Sequence, residues 1–314
     1  MNSLPTTTPT RIPGARSIPA SLLKSNPHIP ITDGQLTLPD GTSLYYCIEG
    51  EGEPLIFCYG LVCSSLHWTY QIELLRRQYR CIWFDYRGHH HSGQPKELRS
   101  LNIPQFADDL VQLMKHLQLP PSVLLGHSMG VNVALEVALQ HPERVRALVL
   151  ANGTPSRPLD HMMHSNLSSY LFDKLRVLQQ RLPKAVEYLW QNASRTQFIE
   201  LAILIGGFNP HLTHPEDVET YLDQIRSLGS KVFFEVLDHY QTHDVTPWLQ
   251  TIQQPSLILA GEHDHITPPE IQRQMHQLMP HSQFEMIFHG SHCSQMDFPD
   301  VVTSEIARFI ENLS

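Results

Sequence analysis

Five residues, Gly126-His127-Ser128-Met129-Gly130, stand between two apolar runs. Val123-Leu124-Leu125 reads as a short buried strand, and the stretch from Val131 to Leu139 reads as a packed helix. A chain that passes from strand to helix so abruptly turns too tightly for side chains at the flanking positions. Glycines two residues either side of Ser128 remove that obstruction. The serine between them is then held in strained backbone, its hydroxyl pushed out over the sheet edge. The segment therefore demands a strand followed at once by a helix packed on the sheet.

The surrounding sequence supplies the rest of such a sheet. Leu36 to Tyr46 alternates loosely around the turn Pro39-Asp40-Gly41 and reads as a β-hairpin. Buried strands follow at Pro54–Tyr59, stopping at Gly60, and at Tyr79–Asp85, stopping at the polar segment Tyr86 to Gly93. Ile103 to Leu119 carries Phe106, Leu110, Leu113 and Leu117 at helical spacing before Pro120-Pro121, and Val145 to Ala151 supplies a further strand. Strands and helices alternate, which predicts a parallel sheet with helices on both faces. Residues 155–248 break the rhythm with helix-like segments only (Tyr170–Gln180, Ala185–Ile205, Pro215–Leu228, Lys231–His239). Alternation resumes with strands at Ser256–Ala260 and Gln283–Phe288 and helices at Pro269–Met279 and Val301–Leu313. The expected organisation is an N-terminal arm (1–35), an α/β core (36–154 and 249–314) and a helical cap (155–248) over the strand ends.

Size and charge exclude several classes of function. A chain of 314 residues can bury a full core. Its formal net charge of −9, with no long basic cluster, argues against a nucleic-acid partner. Its apolar runs fall short of the roughly eighteen residues of a membrane span. The first 32 residues have six prolines and no acidic residue, and they lack the apolar core of a signal peptide. Their Arg, Ser and Thr content faintly resembles a transit peptide, but the prolines oppose an amphipathic helix and favour a surface arm. Five cysteines show no repeated spacing, and Cys58 and Cys81 fall in strand-like runs as buried thiols, which predicts a cytoplasmic protein.

A serine hydroxyl is a poor nucleophile at neutral pH and needs a base oriented by a carboxylate. In open α/β sheets reactive groups gather at the carboxyl ends of strands. Asp264 follows the Ser256–Ala260 strand and His292 follows the next one, so Ser128, Asp264 and His292 form the candidate catalytic set. Asp264 also reads as a helix N-cap before Thr267-Pro268-Pro269. Glu262 and Asp297 are weaker acids for the role, Asp244 looks like a turn residue, and Asn152 cannot carry the charge. Backbone N–H groups of Met129, after the serine, and Leu61, after the turn at Gly60, are candidate oxyanion donors; Tyr59-Gly60-Leu61 also reads as a simple strand-ending turn, but its position in the fold favours the oxyanion role. Cys63 and Cys293 flank these loops and suggest sensitivity to thiol reagents.

These segments together resemble the α/β-hydrolase superfamily over residues 36–314. The resemblance rests on Cys58-Tyr59-Gly60-Leu61, Asp85-Tyr86-Arg87-Gly88-His89-His90-His91-Ser92, Gly126-His127-Ser128-Met129-Gly130, His141-Pro142-Glu143-Arg144-Val145, Gly261-Glu262-His263-Asp264 and Gly290-Ser291-His292. It implies an α/β-hydrolase fold and the chain order nucleophile, acid, histidine. Tyr59 stands where such chains often have histidine, which should affect loop packing more than chemistry, and His90 stands in place of a glycine. Ser128 rather than aspartate argues against the dehalogenase and epoxide-hydrolase branches. The expected activity is hydrolysis of a carboxylic ester or related hydrophobic acyl substrate through an acyl-enzyme on Ser128. Carbon–carbon hydrolysis, lactone hydrolysis, cofactor-free peroxidation and a non-enzymatic ligand receptor are the alternatives. No cofactor is expected. The run His89-His90-His91, with His161 and His164, lacks ligand spacing and reads as solvated loop histidines rather than a metal site. The apolar stretch Leu201–Phe208 reads as a pocket roof or as packing within the cap.

Overall fold

Alternate residues of the central strands belong to two different apolar layers, as a period of two requires. In the strand Pro54–Cys58, Leu55 and Phe57 pack with Trp68, Ile72 and Leu75, whereas Ile56 and Cys58 join Phe106, Leu110, Val131 and Leu135 on the opposite face. Val123 and Leu125 likewise face away from Leu124, and Leu257 and Leu259 away from Ile258. A sheet covered on both faces needs near-continuous apolar strands, and these have them.

The computed structural model describes residues 29–61, 63–162, 167–192, 207–209 and 211–313. Its eight strands are β1 (Ile31–Thr37), β2 (Ser43–Glu49), β3 (Pro54–Cys58), β4 (Arg80–Phe84), β5 (Ser122–His127), β6 (Val145–Ala151), β7 (Ser256–Gly261) and β8 (Ser282–Ile287). They form one sheet in the order β1-β2-β4-β3-β5-β6-β7-β8. Only β1–β2 and β2–β4 pair antiparallel; β4 through β8 run parallel, so their carboxyl ends share one edge. The hairpin turns at Pro39–Gly41 as the sequence indicates, but β1 begins at Ile31, inside the segment read as an arm.

The helices that cover the sheet before β6 are α1 (Thr69–Leu75), α2 (Ile103–His116) and α3 (Met129–Gln140). Asn102 caps α2 by accepting from the Gln105 N–H at 2.9 Å. Between β6 and β7 come α4 (Pro158–His161), α5 (Leu167–Arg181), α6 (Pro183–Asn192), α7 (Pro215–Leu228) and α8 (Ser230–Thr242). Pro183 explains the break between α5 and α6, since it cannot donate into a continuing helix. Most of the Leu201–Phe208 stretch and His164 lie outside the described residues. Three helices close the chain: α9 (Pro269–Leu278), α10 (Ser294–Asp297) and α11 (Pro299–Glu311).

One buried ion pair ties the amino-terminal half together. Arg87, on the loop after β4, donates from Nε and Nη2 to the two carboxylate oxygens of Asp109 on α2, both at 2.6 Å. Its remaining nitrogen reaches Asp40 in the hairpin turn at 2.7 Å. Two parallel charge-assisted bonds satisfy a guanidinium that is only 2% exposed. The same loop corrects the reading of the histidine run. His89 is fully buried against Tyr59, Tyr86 and Phe106, and His90 Nε2 donates to the Cys63 carbonyl at 2.8 Å; of the three, His91 alone is exposed. His90 takes φ = +41°, so it occupies the left-handed conformation that a glycine would have held without strain.

Candidate active site

Ser128 stands at the junction of β5 and α3 with φ = +54° and ψ = −121°, a backbone conformation that costs an L-residue about 1–3 kcal/mol. The neighbouring glycines are required by contact: a Cβ on Gly126 would lie 2.5 Å from the Gly130 carbonyl oxygen, and one on Gly130 would strike the Cys58 and Tyr59 carbonyls. The strained turn is pinned by the Ser128 N–H donating to the Ala151 carbonyl at 3.1 Å. No side-chain cap engages the Ser128 hydroxyl at the helix start, which leaves it available to another partner.

That partner is His292. Its Nε2 lies 2.9 Å from Ser128 Oγ, and its Nδ1 lies 2.9 Å from Asp264 Oδ2. Asp264 follows β7 and His292 follows β8, so three strand ends, β5, β7 and β8, bring the sequence-predicted residues into one hydrogen-bonded line. The Asp264 carboxylate also accepts from the Thr267 hydroxyl and from the Ile266 and Thr267 N–H groups, each at 2.9 Å. Asp264 is not the helix N-cap the sequence suggested, since Pro268 holds that position; instead Oδ1 organises the turn before α9 while Oδ2 faces the imidazole. With the carboxylate acceptor on Nδ1, the neutral ring carries its proton there and presents the Nε2 lone pair to the serine.

The rival acids serve as supports. Asp297 accepts from the Ser291 N–H (2.8 Å) and hydroxyl (2.6 Å) and from Thr213, so it shapes the loop carrying His292; burial pushes its carboxyl above the usual range. Glu262 accepts from the His289 N–H, and Asp244 from the Thr246 N–H, as a turn residue does. Asn152 accepts from the Gly261 N–H at 2.7 Å and donates to Ser294 Oγ at 2.6 Å. It thereby links the end of β7 to the helix beyond His292.

Two residues missed in the sequence stand beside His292. His127 is fully buried and its Nε2 faces the His292 carbonyl at 2.9 Å; His67 Nδ1 lies 3.3 Å from His127 Nδ1. Burial holds the pKa of His67 down to about 3 and that of His127 well below the usual imidazole range, so both rings are neutral. His127 occupies a variable position of the five-residue turn, and His67 belongs to no motif, so nothing in their spacing marked them. His67, His127 and Cys293 bring potential metal ligands within 4.8 Å of one another, while both nitrogens of His127 already have hydrogen-bond partners. Glu262, His263 and His289 form a second such group in a largely exposed position.

The pocket above Ser128 has a volume of about 540 Å³, counted to its open mouth. Leu61, Ile266 and Leu159 line it, together with Met162, Leu237 and Tyr240 from the segment between β6 and β7. Gly60 abuts Ser128 closely, since a Cβ there would lie 2.8 Å from Ser128 Cβ. Cys63 and Cys293 are buried, and burial raises both thiols, which removes the ground for expecting ready alkylation.

Comparison with known proteins gives a family-model match described as alpha/beta hydrolase fold over residues 53–299. The chain is similar to bifunctional epoxide hydrolase 2 of Mus musculus, at 26% identity over 90% of this chain and 56% of that protein. It thus spans about half the length of that relative. A putative carbamate hydrolase, RutD, of Caulobacter vibrioides is 25% identical over 88% of this chain and 98% of its own. The solved structure of a thermophilic esterase from Thermogutta terrifontis superposes with a TM-score of 0.75 at 24% identity, covering 90% of this chain and 99% of that one.

Proposed function

Because the chain belongs to the α/β-hydrolase family, we propose that it is a serine hydrolase cleaving a carboxylic ester or related acyl compound. The observation that carries this reading is the unbroken line Ser128–His292–Asp264, with 2.9 Å at each link. In this proposal Ser128 Oγ attacks the substrate carbonyl while His292 Nε2 takes its proton. The negative charge that develops on the carbonyl oxygen is met by the backbone N–H groups of Leu61 and Met129. Met129 opens α3, where a helix leaves its first amides without an intrahelical acceptor. His292 then gives the proton to the departing alkoxide, leaving an acyl-enzyme. Water, deprotonated by the same imidazole, attacks the acyl carbonyl and releases the acid and the serine hydroxyl. Asp264 holds the ring and stabilises its cation throughout.

The apolar lining favours a hydrophobic acyl group, and the helices between β6 and β7 act as a cap over it. Ser128 at the nucleophile position is the reason epoxide opening is not carried over from the relatives. A small-molecule substrate without cofactor, and a cytoplasmic setting suited to five buried cysteines outside any disulfide, complete the reading. Among the described residues no helix is long and apolar enough to cross a membrane.

The test is hydrolysis of p-nitrophenyl esters of increasing chain length by the wild type and Ser128→Ala. Loss of the nucleophile should lower kcat by several orders of magnitude, and the preferred chain length should size the pocket. Equal activity in both proteins would overturn the assignment.

A further inference from the structure

The mostly apolar pocket is also lined by polar side chains that the proposed reaction does not use, His67, His127, Tyr221 and Tyr240. His67 and Tyr240 both line it, and each is almost completely buried, at 1% and 2% exposure. Among the described residues, His67 Nε2 and the Tyr240 hydroxyl have no hydrogen-bond partner.

The protonation of His67 follows from its neighbours. The His292 carbonyl can only accept, so His127 must carry its proton on Nε2 and offer a lone pair at Nδ1. His67 Nδ1 faces that lone pair and must therefore donate to it. A neutral imidazole with its proton on Nδ1 presents a bare acceptor at Nε2. The ring is held in this orientation by Phe208, edge-on at 5.7 Å and 87°, and by Tyr221 at 5.3 Å. A fixed, buried acceptor without a donor is costly until a bound molecule supplies one.

We infer that His67 and Tyr240 select substrates whose acyl or alcohol portion carries a hydroxyl or N–H group, His67 Nε2 accepting the hydrogen bond and the Tyr240 hydroxyl offering a second polar contact. This rests on the serine-hydrolase reading and narrows its substrate class. A site built to pair with a substrate hydroxyl penalises the analogue lacking it, because its own polar groups are then left unpaired.

Matched esters test the inference. On the acyl side, p-nitrophenyl hexanoate is compared with its 3-hydroxy and 6-hydroxy derivatives; on the alcohol side, propyl hexanoate is compared with 2-hydroxyethyl hexanoate. At least one hydroxylated ester should exceed its parent in kcat/KM by about 10- to 100-fold, and the pair that shows it identifies the portion recognised. His67→Phe should reduce that preference to within about twofold, and His67→Gln, which keeps an acceptor, should retain part of it. Tyr240→Phe, which removes only the hydroxyl, should lower the preference less. No preference in the wild type, or a preference that survives His67→Phe, overturns the inference while leaving the hydrolase reading intact. Should no ester be hydrolysed, calorimetric binding of the same pairs to Ser128→Ala decides separately: about tenfold tighter binding of a hydroxylated ester supports the inference, and equal binding overturns it.

Discussion

His127 Nε2 donates to the backbone carbonyl of His292 across 2.9 Å, so the residue preceding Ser128 holds the residue proposed to activate it. The end of β5 thus carries Ser128 and also ties down the backbone of His292. The pairing is local to one edge of the sheet and uses a neutral ring, which adds no charge beside the imidazole that must become a cation.

The environment of Asp264 makes separate predictions for charge and for orientation. Asp264→Asn keeps the shape but presents an amide to His292 and disturbs its tautomer; kcat should fall on the order of 10³- to 10⁴-fold. Thr267→Val removes a single bond of 2.9 Å to the same carboxylate and should lower kcat about three- to tenfold with KM little changed. Steady-state kinetics on one ester separate the two, and equal losses would contradict the division of labour.

Strain at the turn predicts a gain in stability on loss of function. Ser128→Gly accommodates φ = +54° without a Cβ and should raise unfolding free energy by about 1 kcal/mol relative to Ser128→Ala. Denaturant melts of the two inactive variants check this, and a less stable glycine variant would contradict it.

Three buried neutral histidines fix the sign of the acid response. The pKa values of His67 and His89 are held down to about 3, and that of His127 is also lowered, all by burial. The unfolded chain, titrating near 6.5, binds protons that the native state refuses, so this stability is present above pH 6.5 and is lost as pH falls toward 3. At pH 5 the loss is on the order of 2 kcal/mol for each of His67 and His89. Urea unfolding at pH 7.5 and pH 5 should show a clear drop in midpoint, and His89→Phe should reduce it. Midpoints unchanged with pH would contradict the burial argument.

Much of the site was legible because its chemistry dictates both residue type and position. A turn between β5 and α3 admits few sequences, and a candidate acid and base then have to follow later strands, where Asp264 and His292 stand within hydrogen-bond reach of one another and of Ser128. The supports were illegible for the opposite reason. His127 and His67 gain their roles only from contacts 60 and 165 residues apart in sequence. The run His89-His90-His91 looks solvated by composition, yet backbone geometry points one ring into the core and one outward. Asn152 lacks the charge for catalysis, and its bracing of Gly261 and Ser294 becomes visible only when β6, β7 and the loop after β8 are adjacent.

The buried Arg87–Asp109 pair predicts a large asymmetry. Asp109→Ala leaves a guanidinium that is 2% exposed without its bidentate partner and should cost about 3–5 kcal/mol. The double replacement Arg87→Met with Asp109→Leu should cost less than that single change, because no uncompensated charge remains buried. Unfolding free energies decide; a double variant less stable than Asp109→Ala would contradict the account.

The most direct measurement is covalent trapping of the nucleophile. Wild-type protein treated with a fluorophosphonate ester should gain the mass of one phosphonyl group, mapped by peptide mass spectrometry to Ser128. Ser128→Ala should gain none, and His292→Gln should react orders of magnitude more slowly. Modification of another residue, or equal labelling of Ser128→Ala, would contradict the assignment of Ser128 as the nucleophile.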